Sequence, residues 1–593
     1  MGLVTLVASV FYLFFAADSI QESDGAELAL MAIKQGALHP PGYPLYSILS
    51  QPLVWLFSGN PYATLARFSA VLQGASVGLM FWLCFRLTKQ ISFSCAISVA
   101  FAIFYPTIRI ATDTEVFALQ SFFLLVLLNC CAKAFDLNES VQKISIFIIG
   151  LTFGLCASNH HTIILWAPLL LGIFLERQVG SNLKEWARQG CYGLIGLLLG
   201  LSPYLYLVWC LYNPEAQGLI EITSWSGLWA YILRSGYGTF SLQAQSGLEE
   251  SYFFHALYIL FLGLPVALII TIFSPIWLVR FKRYLLAGIG GTLLMHAWFL
   301  ANLIFEGNSD LHGQLLARFY ALVAVFPLFL VIIWYVKTRI GNFPILKYSL
   351  AILLVVPGIV QISNSIGLAN AKDDQVVAAE INLLLDSLPP KSIYISTLDR
   401  LSSGLTYYQL NTGRRKDILI IVAGLLSNPE YRSSIKKNLK LNLGARPKNL
   451  QAAVSELVAQ AELQGRFVYA YPDLSIGKDL KFYASGIAWQ VVPANRTVTR
   501  GAVLKNIFSV CAHIPESIRS VSVQRINSLL ILERVFALPI RFMVPSAETG
   551  SIGGLLKAIT MPSSLNPDTT EIRQYCIMSW GNQAELTLPV KPY

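Results

Sequence analysis

The chain has 593 residues, of which 55% are hydrophobic and only 13% charged, with a formal net charge of +10. Soluble proteins carry roughly 25% charged residues, and the mean hydropathy here is +0.58. A large soluble protein is excluded, because every long apolar run would need hiding from water; the chain reads as an integral membrane protein.

Apolar runs able to cross about 30 Å of hydrocarbon fall at 2–17, 64–85, 91–108, 116–132, 144–158, 161–175, 190–212, 253–279, 284–304, 319–336 and 348–364. The first has no Lys or Arg before it and no small-residue cleavage site after it, so it reads as a retained signal anchor. Segment 44–58, PLYSILSQPLVWLFS, is broken by Pro52, and its length alone does not decide whether it spans. Charge decides it, since Lys and Arg accumulate in cytoplasmic loops near span ends. With 44–58 left out, one side carries Arg86, Lys89, Lys184, Arg188, Arg280, Lys282, Arg283, Lys337 and Arg339, among others. The other side carries only Lys34, Arg67, Arg109, Arg234 and Arg318. Counting 44–58 as a span flips every later loop and puts RFKR (280–283) outside. It is therefore read as a juxtamembrane or re-entrant helix, permitted at that depth only where protein covers it.

That choice predicts a membrane all-α fold of eleven crossings with a cytoplasmic N-terminus. The outer face then holds the first loop, RIATDTE (109–115), SNHH (158–161), 213–252, 306–318 and everything past about residue 365. The positive net charge is a topology signal and gives no reason to invoke nucleic acid. Two domains follow: a polytopic membrane domain over 1–365 and an extracytoplasmic α/β domain over 366–593. In the second, helical periodicity at DDQVVAAEINLLLDSL and SSGLTYYQL alternates with strand-like runs at 391–397, 417–423, 466–471 and 487–493. It has no phosphate-cradling glycine loop and no nucleophile elbow. Seven of the nine cysteines lie in or beside spans, where thiols act as small hydrophobes. Cys511 and Cys576 lie in the outer domain, paired or as two buried thiols, and no Cys or His spacing points to zinc.

Ionisable groups crowded at a membrane face are candidates for function. In SDGAELALMAIKQGALHPPGYPLY (23–46), a helix beginning near Asp24 puts Asp24 and Glu27 at i and i+3, on one face. A carboxylate of ordinary pKa is ionised at neutral pH and can accept a hydroxyl proton or hold a cation. HPPGYP has few backbone conformations and so can present His39 in one orientation. Asp113, Glu115, His160 and His161 face the same side. Outer cations are scarce, which singles out Arg234 and Arg318.

These residues carry a resemblance. An apolar first helix, SDGAEL and HPPGYPLY resemble the opening of a family of polytopic glycosyltransferases in the glycosyltransferase C superfamily. That family includes the protein O-mannosyltransferases acting on plexin-type receptors, with many bacterial relatives. TEVFAL (114–119), SNHHT (158–162), LWAYILRSGYGTFSL (228–242), ARFYAL (317–322) and STLDRLSSGLTYYQLNTGRRKDILII (396–421) continue it in order, over roughly residues 1–430. The chain departs from the family at SDGAE, where a Gly-Asp-Ser/Gly-Gly-Glu form is common. It departs again at Ser235 or Gly236, where an acid is usual; acceptor choice is what these changes put in doubt.

The resemblance implies a membrane helix bundle with a catalytic Asp in the first outer loop and a sugar donor carried on polyprenyl phosphate. Asp24 is then expected to act as general base. Glu27, His39, Tyr43, Glu115, His160, His161, Arg234, Tyr237 and Arg318 are expected to bind substrate, the cations meeting the donor phosphate. The sugar would be mannose or another hexose and the acceptor a protein or glycan hydroxyl, with inversion. No cofactor is required by the sequence, and a divalent cation is left open. A transporter or flippase is the rival reading, but the acids cluster in loops and no internal repeat is present.

Overall fold

The computed structural model describes residues 1–496 apart from 22, 58, 133–144, 217, 219, 236–248, 252, 275–281, 303, 307–308, 339, 373, 398, 445–446, 471–473, 475 and 486–487. It is mostly helical. In chain order the helices are α1 (Gly2–Phe15), α2 (Gly25–Lys34), α3 (Pro44–Leu56), α4 (Pro61–Thr88), α5 (Ile91–Ile103), α6 (Tyr105–Thr112), α7 (Val116–Cys131) and α8 (Ile146–Asn159). They continue with α9 (Ala167–Arg177), α10 (Leu183–Gly200), α11 (Leu205–Tyr212), α12 (Trp225–Ile232), α13 (Phe253–Gly263), α14 (Pro265–Ile272), α15 (Arg283–Ala301), α16 (Ser309–Thr338) and α17 (Pro344–Ala369). The last four are α18 (Val376–Ser387), α19 (Asp399–Thr412), α20 (Pro429–Leu439) and α21 (Leu450–Leu463).

The chain divides into two compact units. One comprises Met1–Asp18, Met31–Gly218 and Ile222–Lys372; the other comprises Ser19–Leu30, Leu219–Glu221 and the chain from Asp373 onward.

In the first unit the described residues of the expected apolar runs are mostly helical. Among the described residues five helices are long and apolar enough to cross a membrane: Pro61–Thr88, the Leu183–Tyr212 run, Arg283–Ala301, Leu316–Thr338 and Pro344–Ser363. A sixth is added if α5 and α6 form one bent span. The run expected as one crossing over 91–108 is in fact these two helices, meeting at 64°. Pro106 explains the break, because its ring clashes with the carbonyl four residues earlier. That carbonyl, of Ala102, instead accepts the Tyr12 hydroxyl at 2.8 Å, and the Tyr105 N–H goes to Gln361 Oε1 at 3.2 Å. Both orphaned backbone groups are thereby satisfied, as an apolar medium demands. Pro265 likewise divides the 253–279 run into α13 and α14, and 161–175 begins as a 3-10 turn over His161–Trp166. α3 is 13 residues long, which rises only about 20 Å.

Helices in lipid gain nothing by burying apolar surface from one another and rely on close backbone approach at small residues. α8 and α10 meet through Gly150 and Gly154 on one side and Gly193, Gly196 and Gly200 on the other; a methyl at Gly154 would lie 2.5 Å from the Leu197 carbonyl and 2.8 Å from Gly200 Cα. α1 crosses α4 at Gly74, where a methyl would sit 2.7 Å from the Ser9 backbone nitrogen. α4 itself starts cleanly: Asn60 caps it, accepting from the Tyr62 N–H at 3.0 Å, and Pro61 occupies the first turn.

The second unit contains a five-stranded mixed sheet. Its strands are β3 (Ile393–Ser396), β4 (Leu419–Val422), β5 (Val468–Ala470), β6 (Leu480–Ser485) and β7 (Ala488–Pro493), in the order β4-β3-β5-β7-β6. A separate antiparallel pair in the first unit supplies β1 (Glu249–Ser251) and β2 (Ile304–Glu306). β4, β3 and β5 run parallel, and β7 and β6 are antiparallel. Ile393, Ile395, Ile421, Leu457, Val458 and Val468 form the core of the sheet and its covering helices. Inside it Arg432, 1% exposed, is paired with Glu456 and the Gly444 carbonyl, which satisfies an otherwise costly buried charge. Four strands and two helices fall where the sequence pattern puts them, while β6, α20 and α21 were not read from it.

The glycine contacts predict that Gly154→Val forces α8 and α10 apart. Its unfolding free energy in detergent should fall by about 1–3 kcal/mol. Gly190→Ala in α10, where nothing lies within 4 Å of an added methyl, should leave stability unchanged or slightly raised. Equal melting of the two variants would show that the crossing tolerates expansion.

Candidate active site

In the first unit the site starts at the turn after α2. His39 O accepts the Gly42 N–H at 2.8 Å, and the Pro40–Pro41 peptide is cis. Gly42 has φ +95° and would press any side chain against Leu207, 2.9 Å away, so glycine is required there. Tyrosines pin the segment leading into this turn. Tyr206 Oη donates to Gln35 O at 2.8 Å, and the Tyr231 hydroxyl donates to Leu38 O. Ala37 N–H adds a bond to Ala216 O at 3.2 Å. Tyr231 lies in the LWAYILRSGYGTFSL segment, so that motif serves the HPPGYP turn directly.

The turn presents His39 and Tyr43 together. His39 Nε2 and Tyr43 Oη are 3.1 Å apart, and the buried Tyr43 ring stacks on His160 at 5.5 Å and 14°. His160 is the residue that ends α8. Its Nδ1 accepts the Thr162 N–H at 3.2 Å, and its carbonyl accepts Gln120 Nε2 at 3.2 Å. Gln120 in turn accepts from Asn159 Nδ2 at 3.0 Å, so the Asn of the SNHH motif orients its His through α7. Phe117 packs on His160 at 4.8 Å, and Phe319 lies edge-on to Phe117 at 5.0 Å. The Arg318 guanidinium sits 5.6 Å from the Phe117 ring centre and 5.7 Å from that of Phe319, within cation–π range.

Arg318 Nη1 also reaches Glu115 Oε1 at 3.3 Å. Glu115 is 6% exposed and begins α7, and its backbone is tied to Ser69 on α4. Two residues earlier Asp113 accepts the Tyr62 hydroxyl at 2.5 Å and the Thr114 N–H at 2.7 Å. Between these acids and the turn stands Tyr46, fully buried, whose hydroxyl has no hydrogen-bond partner among the described residues. Burial first, then the charges of Glu115 and Asp113, push that phenol well above its ordinary range. It remains a donor at any physiological pH.

Burial acts on His160 in the opposite direction. Together with the electrostatic influence of the neighbouring His161, Arg234, Arg318 and His39, it holds the imidazole well below the usual histidine range. His160 is neutral at pH 7, and since Nδ1 accepts, Nε2 carries the proton. His161 Nε2 bonds Tyr204 Oη at 2.9 Å, and that hydroxyl donates to Ala157 O at 3.3 Å.

Of the expected site residues, then, His39, Tyr43, Glu115, His160 and Arg318 form one linked cluster, with His161 and Arg234 close enough to His160 to act on it electrostatically. Arg234 sits in a turn with φ +54° after α12. Tyr237, Cys511 and Cys576 lie outside the described residues. Asp24 and Glu27 belong to the second unit. α2 starts at Gly25, and the Asp24 carbonyl accepts the Leu28 N–H at 3.1 Å, so Asp24 and Glu27 lie one turn apart. Carboxylates in a first turn are favoured by the helix dipole. Glu27 is buried and Asp24 half-buried. Among the described residues no three His, Cys, Asp or Glu side chains gather as metal ligands do. Sequence reasoning missed Tyr46, Tyr62, Phe117, Phe319, Tyr206 and Tyr231. Tyr46, Phe117, Phe319 and Tyr231 lie inside the motifs already singled out, and their aromatic character was the available signal.

Comparison with known proteins finds relatives for part of this chain. Residues 24–182 match the model of the protein O-mannosyl-transferase TMEM260 N-terminal domain. The protein O-mannosyl-transferase TMEM260 of Mus musculus is 29% identical over 240 residues, 40% of this chain and 34% of that protein. The Dictyostelium discoideum protein of the same name is 25% identical over 272 residues, 41% of this chain and 32% of its own length. The chain thus spans about a third of these curated relatives. Among solved structures, ArnT from Cupriavidus metallidurans bound to undecaprenyl phosphate aligns with 84% of this chain and 98% of its own, at 11% identity and TM-score 0.42. Its apo form aligns with 75% and 95%, at 13% identity and TM-score 0.40. The resemblance to the protein O-mannosyltransferases is therefore shown over residues 24–182, which hold the HPPGYP, TEVF and SNHH motifs.

Proposed function

We propose that this protein is a membrane glycosyltransferase of the glycosyltransferase C type. It moves mannose or another hexose from a polyprenyl-phosphate donor to an acceptor hydroxyl on the extracytoplasmic face. The observation that carries this reading is the gathering of four separated motifs, HPPGYP, TEVF, SNHH and ARFY, into one cluster of aromatic rings, neutral histidine and arginine. The names of the relatives favour a protein acceptor. Nucleotide sugars are made in the cytoplasm, so an enzyme acting outside needs a donor that arrives within the membrane. Such a donor presents a phosphate at the interface, which charge-assisted hydrogen bonds suit.

In this reading Asp24 is the general base. It takes the proton of the acceptor hydroxyl while that oxygen attacks the anomeric carbon. The lipid phosphate leaves with the bonding electrons, and the configuration inverts. One base suffices, because a phosphate departs without a strong acid partner. Glu27 orients the acceptor or binds a cation, and His39, Arg318, Arg234, His160 and His161 serve the donor phosphate, with Tyr43 fixing His39. The membrane part would have eleven crossings with α3 as a juxtamembrane helix, and residues 366–593 would be extracytoplasmic.

Incubation of the purified protein with labelled polyprenyl-phosphate sugars and a panel of acceptors tests the reaction. Asp24→Asn keeps size and removes basicity, so turnover should drop by about 10²–10⁴-fold with donor binding intact. Near wild-type transfer would remove Asp24 as base and make Glu27 or Glu115 the next candidate. Arg318→Ala should weaken donor binding by about 10–100-fold, the scale of one charged hydrogen bond. Arg318→Lys should recover only part, since a point charge lacks the planar fork; unchanged affinity in the alanine variant would assign that arginine to structure. For topology, a reporter fused after residue 365 should read extracytoplasmic and one at residue 281 cytoplasmic. Both reading the same side would mean that 44–58 spans.

A further inference from the structure

The second unit raises a question that the chemistry alone does not answer. A short piece of the membrane half of the chain, residues 19–30, is grouped with a sheet that begins more than three hundred residues later. Three side chains a few residues before Asp24 show how. Ser19 Oγ donates to the Asp374 carbonyl at 2.6 Å, and Gln21 Nε2 donates to the same carbonyl at 3.1 Å and to Ser19 O at 3.0 Å. Between them Ile20 is 1% exposed and enters a notch whose floor is Gly404 on α19. A methyl at Gly404 would lie 2.5 Å from Ile381 Cδ1 on α18 and 3.7 Å from Ile20 Cδ1. Ser19 and Gln21 are themselves buried, so this is a packed contact with satisfied polar groups. A second strap is held similarly, with Ser434 Oγ on α20 donating to Glu221 at 2.7 Å.

We propose that the α/β unit holds the first-loop carboxylates in place, with Ser19, Ile20 and Gln21 as positioning residues for Asp24, anchored on Asp374, Ile381 and Gly404. The inference rests on the reading of Asp24 as base. A general base works only within hydrogen-bond reach of the proton it removes. Asp24 stands three residues beyond Gln21, at the start of a ten-residue helix whose other residues up to Leu30 are buried. Backbone fixed at residues 19–21 therefore sets where that helix begins and where its first carboxylate lies. Loops between membrane helices are ordinarily the most mobile part of such a chain. Here the anchor removes that freedom before substrate arrives, which is the entropic share of catalysis that positioning supplies. It also gives the C-terminal sheet a role that needs no active site of its own.

The test uses the full-length protein in detergent. The double variant Ser19→Ala/Gln21→Ala removes both bonds to Asp374 and keeps Ile20 and the sheet core. Turnover should fall by up to about 10²-fold, the cost of misplacing a catalytic group by an ångström. Donor KM should stay within twofold and the melting midpoint unchanged. Hydrogen–deuterium exchange over residues 19–30 should rise while exchange over β3 and β4 does not, and Ser19→Thr with Gln21 intact should behave as wild type. Leu463→Ala, at an 80%-exposed position of the same unit, should change nothing. Ile20→Ala gives a second approach, removing the apolar part of the anchor at a 1%-exposed position, with the same split between turnover and KM. Wild-type turnover in both variants would overturn the positioning role, as would losses of turnover, donor binding and melting midpoint in equal measure. Unchanged exchange over 19–30 would overturn the anchoring itself, whether or not sugar transfer is observed. A wild-type protein that transfers no sugar, yet shows the exchange response, would instead overturn the functional reading and leave the anchor standing.

Discussion

Glu115 is a carboxylate only 6% exposed within an apolar helix bundle, and Arg318 stands against it at 3.3 Å, the kind of pairing that offsets the cost of burying a charge. This pair joins the start of α7 to α16 across 203 residues of sequence. Phe117 and Phe319, the neighbours of the two charges in sequence, then meet edge to face, and His160 packs against both rings. The stacking of Tyr43 on His160 brings in the HPPGYP turn. Removing either partner of a buried pair costs about 3–5 kcal/mol because the other charge is left behind. Each of these motifs thus touches the pair or a ring in contact with it, in addition to its own backbone supports.

The break between α5 and α6 has a comparable effect at the other end of the acid segment. Because Pro106 ends one helix and starts another, the chain can turn and deliver Asp113 and Glu115 at the start of α7 instead of continuing straight. Tyr12 and Gln361 take up the backbone groups that the turn releases, so the bend is stable in surroundings that offer no water.

Much of this was legible in the sequence, for identifiable reasons. Long apolar runs have one stable solution in lipid, so helix positions followed from hydropathy alone. The breaks were less visible, because hydropathy does not register geometry; Pro106 and Pro265 were present inside the runs, and their steric effect was the signal to weigh. β6 escaped notice because LKFYAS alternates a charge with apolar residues over only six positions. In the site, residue types and motifs could be named, but the Arg318–Glu115 pairing could not, since nothing local links residues 203 apart. The anchoring of residues 19–21 on Asp374 was hidden for the same reason. It depends on a backbone carbonyl, which has no identity in a sequence.

His160 shows what kind of recognition the cluster can provide. A histidine amid arginines would ordinarily be taken as one more positive charge for a phosphate. Here burial and the surrounding cations disfavour its protonation, while the Thr162 N–H occupies Nδ1 and leaves Nε2 as a neutral donor. Because its folded-state pKa is depressed, protonation favours the unfolded chain, and any stability lost to His160 would be lost as the pH falls below the ordinary histidine range. Near neutrality the imidazole is therefore a constant. Charge in the cluster comes from Arg318 and Arg234, whereas His160 and Tyr43 contribute fixed direction and flat apolar surface. On the proposed reading this division suits a sugar phosphate. The phosphate needs charge that does not vary with pH, and the sugar needs donors and faces that hold one orientation while the leaving group departs.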